Sequence, residues 1–184
     1  LTFFHSNYFD LNECRKLPKN VKTFKINKFK KPSKFQLFKK FISTPILIKE
    51  IINIALRKKP NLKNIKTAFH YYFLALHSYD CISKDLNIKS NRKIYFYSYW
   101  FYHEPLTTIL LKKKSHGICF SRAHGGDLYE HLHLNDYLPF KKLYLNKLDG
   151  IFCISNQGKN YLEKSYLQSQ KVRVSKLGTA QNEL

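Results

Sequence analysis

The sequence predicts an α/β fold: a parallel sheet with helices on both faces. Three observations carry this. Short apolar runs alternate with helical stretches from residue 94 to residue 177. The runs GICFS (117–121) and GIFCI (150–154) are apolar along most of their length, as strands covered on two faces are. Helix-start residues follow the strands, closely at Glu104–Pro105 and Ser155 and after a long loop at Pro139. Such alternation, with strands of this length, argues for a parallel sheet rather than a hairpin-built one.

In chain order, weak alternation over 21–26 predicts one short strand in an otherwise helical front section. Ser43, Thr44 and Pro45 supply a cap and a first-turn proline for a helix over 46–56, with Arg57, Lys58 and Lys59 suiting its end and Pro60 stopping it. A second helix is expected over 65–81. The polar stretch 89–93 reads as a loop dividing a basic, helix-rich section (1–93) from an alternating one (94–178). There the strands are IYFYSY (94–99), 117–121, 150–154 and 172–177, the last closed by Gly178. The intervening helices present Leu106, Ile109 and Leu110; then Phe140, Leu143, Tyr144 and Leu148; then Tyr161, Leu162 and Tyr166.

Composition narrows the class. The 184 residues carry 33 Lys+Arg against 12 Asp+Glu, a formal net charge of +21, with 43% apolar and 16% aromatic residues. That is too apolar and aromatic for a disordered basic tail, and 184 residues suffice for one core. Residues 15–66 hold 17 basic side chains and a single acid, Glu50, leaving 16 basic and 11 acidic residues elsewhere. No apolar run reaches the roughly 20 residues of a spanning helix, and residues 1–10 lack a signal-peptide pattern. Cys14, Cys81, Cys119 and Cys153 are widely spaced without a C-x-x-C pair, so a reducing, cytoplasmic setting without disulfides or a cysteine zinc site is expected. The absence of Met leads us to expect a piece of a longer chain.

In an open parallel sheet, ligands bind beyond the carboxyl ends of the strands. Those ends carry Trp100 with His103 and Glu104; Arg122, His124, Gly125, Gly126 and Asp127; Ser155 with Asn156; and Gly178 with Thr179. SRAHGGDLYE (121–130) is the richest of these. Two glycines admit close backbone approach or positive φ, His124 offers a hydrogen bond to a hydroxyl or phosphate, and Arg122 a partner for a carboxylate or phosphate. Trp100 offers a stacking face for a sugar. The plainer alternatives are an Arg122–Asp127 ion pair, a turn-capping His124 and a core Trp100.

With these residues in view, the stretch 94–178 resembles the N-terminal domain of bacterial family 4 glycosyltransferases of the GT-B fold. YSYW (97–100), SRAHGGDLYE, YLPF (137–140), LDGIFCISNQGKNYL (148–162) and KVRVSKLGT (171–179) fall in the order and spacing of polysaccharide and lipopolysaccharide transferases. The resemblance implies a Rossmann-like, acceptor-side half of a two-domain, retaining, metal-free enzyme with no cofactor beyond its nucleotide-sugar substrate. It implies that His124 contacts the transferred sugar as the catalytic residue, with Arg122, Gly125, Gly126, Asp127, Trp100 and Ser155 as substrate-binding positions. It further implies a saccharide or lipid-linked acceptor, a donor-binding C-terminal half absent from this chain, a crossover beginning at 179–184, and a missing first strand. This fragment alone is then expected to be inactive.

Three other readings stand beside it. A nucleic-acid-binding module fits the charge, but no helix-turn-helix, zinc-finger or RNP pattern accompanies it, so no nucleic-acid partner is expected. A metal hydrolase would use His124, Asp127, His131 and His133, which have some ligand character. The Lys/Phe interleaving of 28–41 also suits an anionic membrane surface on the inner face of the plasma membrane.

Overall fold

The computed structural model describes residues 2–5, 19, 22–26, 29, 44–57, 61–85, 93–166 and 170–177. Its centre is a four-stranded, all-parallel sheet of β3 (Tyr95–Ser98), β4 (Ile118–Ala123), β5 (Gly150–Cys153) and β6 (Val172–Val174), in that spatial order. Register pairs Phe96 with Cys119, Ser121 with Ile151 and Cys153 with Val174. A separate two-stranded parallel sheet pairs β1 (Thr2–His5) with β2 (Lys22–Lys25). β2 lies where a strand is expected. β1 corrects the expectation of no strand ahead of residue 21: four residues at the start of a sequence give periodicity too little to register.

Two helices precede β3. α1 (Pro45–Ala55) starts from extended Thr44 with Pro45 in its first turn, and it buries Leu47, Glu50 and Ile54. Its expected cap at Ser43 and stop at Pro60 lie outside the described residues. α2 (Leu62–Asp85) is longer at both ends than the expected 65–81. Asn61 extends its start by accepting the Lys63 N–H at 2.8 Å, a capping bond ahead of the apolar periodicity. Ala68, Tyr72, Ala75 and Ile82 line its buried stripe. The absence of a bulky side chain at Ala75 lets Thr107 of the next helix donate to the Ala75 carbonyl at 3.2 Å.

α3 (Glu104–Ser115), α5 (Lys141–Lys147) and α6 (Asn156–Tyr166) follow β3, β4 and β5. α4 (Gly125–Leu128) and two 3-10 turns, Glu130–Leu132 and Leu134–Asp136, fill what the sequence reads as a long loop. His116 ends α3 at φ 55°, and a Cβ on the next residue, Gly117, would stand 2.8 Å from the Ile94 carbonyl oxygen, so glycine is required there. Phe140, at φ 63°, turns the chain into α5. β4 runs two residues beyond the expected 117–121, and β6 is shorter than the expected 172–177; Gly178 and Thr179 lie outside the described residues.

Burial alternates along the strands. Phe96, Ser98, Cys119, Ser121, Ala123, Ile151, Cys153 and Val172 are buried, joining Phe101, Leu106, Tyr144, Leu145, Leu148 and Leu162 in one core. The other face carries Tyr95 and Tyr97, both exposed, with Phe120, Arg122 and Phe152 partly covered. The expected cover by helices on both faces is thus met on one face by the described residues. A strand order running 3-4-5-6 explains this, because successive right-handed crossovers in one direction lay their helices on the same side. Cys119 and Cys153 are free and buried, and Cys81 is free and half-buried; Cys14 lies outside the described residues. Among the described residues, no helix is long and apolar enough to cross a membrane.

Candidate functional site

All four strands point the same way, so their carboxyl ends share one edge. β3 delivers Tyr99 and Trp100 there, and β4 delivers His124. The His124 ring forms a cluster with two aromatic neighbours, 4.9 Å from the Tyr99 centroid and 4.6 Å from that of Trp100, which are themselves 5.4 Å apart. Trp100 is 42% exposed and Tyr99 46%, whereas His124 is 7% exposed. The Nε2 of His124 is buried with no hydrogen-bond partner. An unpaired buried polar atom forfeits roughly 1–3 kcal/mol, and such an atom calls for a physical reason. Tyr102 stacks near Trp100 at 6.5 Å and meets the His133 ring edge-on at 6.1 Å, extending the aromatic surface.

Asp127, fully buried, holds this group in place. Its Oδ1 accepts the His124 backbone N–H at 2.6 Å, and its Oδ2 accepts the Phe101 N–H at 2.8 Å. Oδ2 also lies 3.4 Å from His124 Nδ1. That contact favours the imidazole proton on Nδ1, which makes Nε2 of the neutral ring an acceptor for a ligand O–H. A single carboxylate thereby joins the Trp100 strand end to the His124 turn.

Lys141, the first residue of α5, lies beneath. It is 3% exposed, and its Nζ donates to the Phe101 carbonyl at 3.1 Å and to the Asp127 carbonyl. The ammonium lies 4.1 Å from the Phe101 ring centroid. Burial pulls its pKa down to about 7, while the carboxylate of Asp127 works in the opposite direction. Next along the loop, burial lowers the His103 pKa, opposed by Glu104, whose Oε2 lies 3.6 Å from His103 Nδ1.

The predicted residues therefore divide. Trp100, His124, Asp127 and the Gly125–Gly126 turn come together. Gly125 and Gly126 are helical, without positive φ, and an added Cβ would meet nothing closer than Tyr129 at 3.8 Å and Tyr102 at 3.5 Å, so neither glycine is demanded by the backbone. Arg122 does not join them. It belongs to β4 on the opposite sheet face, donating from Nε to the Tyr97 hydroxyl at 2.8 Å and from Nη2 to the Ser175 hydroxyl at 3.1 Å. The alternative Arg122–Asp127 ion pair is likewise not formed, since both oxygens of Asp127 face backbone N–H groups. Ser155 caps α6, its Oγ accepting the Gly158 N–H at 3.1 Å.

The metal reading finds no support in the geometry. His133 Nε2 pairs with the Gly126 carbonyl at 2.6 Å and His131 packs on Tyr129, and among the described residues no group of three candidate ligands assembles. The basic-aromatic segment 28–41 lies outside the described residues, Phe29 apart, which packs edge-on against His70 and His77.

Sequence reasoning missed Tyr99 and Lys141. Tyr99 sits inside the YSYW string and was readable as an aromatic neighbour of Trp100. Lys141 gives no signal, being one of many lysines and followed directly by the exposed Lys142.

A cleft of about 250 Å³ is lined by Lys141 together with Glu50, Arg57, Glu130, Tyr137 and Tyr166, among others. Several of its polar groups pair with one another: Tyr137 donates to Glu50 at 2.7 Å, Tyr166 donates to Glu130 at 3.0 Å, and Arg57 lies 3.5 Å from Glu130. The unpaired Nε2 of His124 makes the strand edge the better candidate for ligand chemistry. No protein-family profile matches the chain, and no curated protein is similar enough in sequence to indicate a relative.

Proposed function

We propose that this chain forms the acceptor-side half of a retaining glycosyltransferase. In this reading a sugar is moved from a nucleotide-sugar to a saccharide or lipid-linked acceptor. One observation carries the reading: a buried imidazole with an unpaired Nε2, clustered with two half-exposed aromatic rings at the carboxyl edge of a parallel sheet. A pyranose has an apolar C–H face that suits an aromatic ring and a rim of hydroxyls that suits a polar atom. Trp100 and Tyr99 supply the first need and His124 the second. With Nδ1–H turned to Asp127, Nε2 accepts from a sugar hydroxyl in the neutral ring and donates only as imidazolium.

Nε2 is buried beside the half-exposed rings of Tyr99 and Trp100, so a ligand reaches it through a local side-chain rearrangement, a rotamer change open to half-exposed side chains. Trp100 is the sole tryptophan of the chain, and its fluorescence reports that movement. The test is a titration of Trp100 emission with oligosaccharides and with nucleotide-sugars, paired with product analysis by mass spectrometry on the longer polypeptide that this reading requires. A saccharide-dependent emission change that disappears in His124→Ala, together with sugar transfer by the longer chain, is expected. No emission change with any saccharide, and no transfer, would overturn the reading.

A further inference from the structure

Lys141 makes contacts that the sugar-binding reading does not use. It is on α5, yet its Nζ bonds two carbonyls from two other segments: Phe101, which follows Trp100, and Asp127, which follows the His124 turn. The Phe101 residue is gripped from both sides, its N–H by the Asp127 carboxylate and its C=O by Lys141. Two carbonyl acceptors match the two N–H donors of a neutral amine. We propose that Lys141 is a positioning residue: through Phe101 and Asp127 it locks the strand end carrying Trp100 to the turn carrying His124, and the lock tightens as pH rises.

The direction follows from linkage. With the lock closed, the amine is buried and sheds its proton at about 7; with the lock open, it regains water and its ordinary value of 10.5. Opening therefore takes up a proton between those values, and rising pH disfavours it. The groups acting on the amine are Asp127 from α4, Glu130 from the following turn, Glu104 from α3 and Cys153 from β5. All act to keep the proton on, and burial opposes them more strongly.

This inference refines the sugar-site reading and rests on it for its biological meaning, but its test needs no sugar. Hydrogen exchange of the Phe101 amide, corrected for the intrinsic rate, is measured at pH 7, 8 and 9 in the wild-type chain and in Lys141→Met. The expected protection factor rises by up to tenfold per pH unit in the wild type and is low and flat in Lys141→Met. A flat wild-type profile overturns the proposal without recourse to any variant. So does an unchanged slope in Lys141→Met, which would assign the effect to a group other than Lys141. Saccharide titrations of Trp100 emission run in parallel separate the two ideas. A silent titration beside a rising profile sinks the sugar reading and leaves the lock, whereas a flat profile sinks the lock whatever the sugars do.

Discussion

Replacing Asp127 by Ala removes one side chain and unmakes three contacts. Both its oxygens receive buried backbone N–H groups, from His124 at 2.6 Å and Phe101 at 2.8 Å. Each buried donor left without a partner forfeits about 1–3 kcal/mol. The variant also removes the carboxylate that most favours the charged form of Lys141, whose bond to the residue 127 backbone carbonyl remains. From the two donors, a total loss of about 2–6 kcal/mol is expected, a large share of the roughly 5–15 kcal/mol of a whole domain. Urea unfolding at pH 7, followed by circular dichroism, measures it. Asp127→Asn keeps one acceptor oxygen, and its loss should fall between the wild type and Asp127→Ala. In a double-mutant cycle with Lys141→Met the combined loss should fall short of the sum by at least about 1 kcal/mol, as for groups sharing one network. A loss below about 1 kcal/mol in Asp127→Ala, or strict additivity with Lys141→Met, would refute the joining role assigned to this carboxylate.

Other outcomes follow from the same geometry. Lys141 releases its proton near 7 in the fold and at 10.5 when unfolded, so its contribution to stability rises with pH across that window, by at most about 1.4 kcal/mol per unit; the wild-type stability minus that of Lys141→Met, at pH 7.5, 8.5 and 9.5, should climb, and a constant difference contradicts the buried placement. Gly117→Ala puts a Cβ 2.8 Å from the Ile94 backbone oxygen, which cannot turn aside as a side chain can, and overpacking there should lower stability by about 1–3 kcal/mol in the same unfolding assay. Tyr137→Phe leaves buried Glu50 without its 2.7 Å donor and should lower stability by about 1–3 kcal/mol, with no effect on Trp100 emission. Burial pushes the Cys119 thiol up to about 11 and the Cys153 thiol up to about 12, so a thiol reagent at pH 8 should modify these two only on unfolding, as peptide mapping of the labelled chain will show.

The fold was legible wherever pattern and punctuation agreed. The four strands from residue 94 onward, the Pro105 helix start and the Ser155 cap all appear close to their expected places, because each joins an apolar run to a residue with a fixed local role. Boundaries drifted where the deciding contact is a single hydrogen bond. Asn61 capping Lys63 lengthens α2, and the Arg122 bonds to Tyr97 and Ser175 keep β4 extended past its apolar stretch. β1 was invisible because a pairing partner about twenty residues away stabilises it, and single-segment periodicity holds no record of that. At the site, the topology argument gathered Trp100 with His124 correctly, whereas Arg122 went astray for a parity reason. One residue inside the strand rather than after it reverses the face its side chain takes. Lys141 was beyond reach, since burial of a lysine depends on two carbonyls supplied by segments 14 and 40 residues away.

The most direct test of the proposed glycosyl transfer is turnover by the longer polypeptide which that reading requires, carrying His124→Ala, assayed with nucleotide-sugars and saccharide acceptors and checked for folding by circular dichroism. On the proposed reading, an imidazole held by Asp127 beside Tyr99 and Trp100 orients one hydroxyl of the transferred sugar. Losing one oriented hydrogen-bonding group of this kind lowers kcat by about 10² to 10³ while leaving KM within a few-fold. A folded His124→Ala enzyme with near wild-type kcat would contradict the account and reduce His124 to the cap of a short helix.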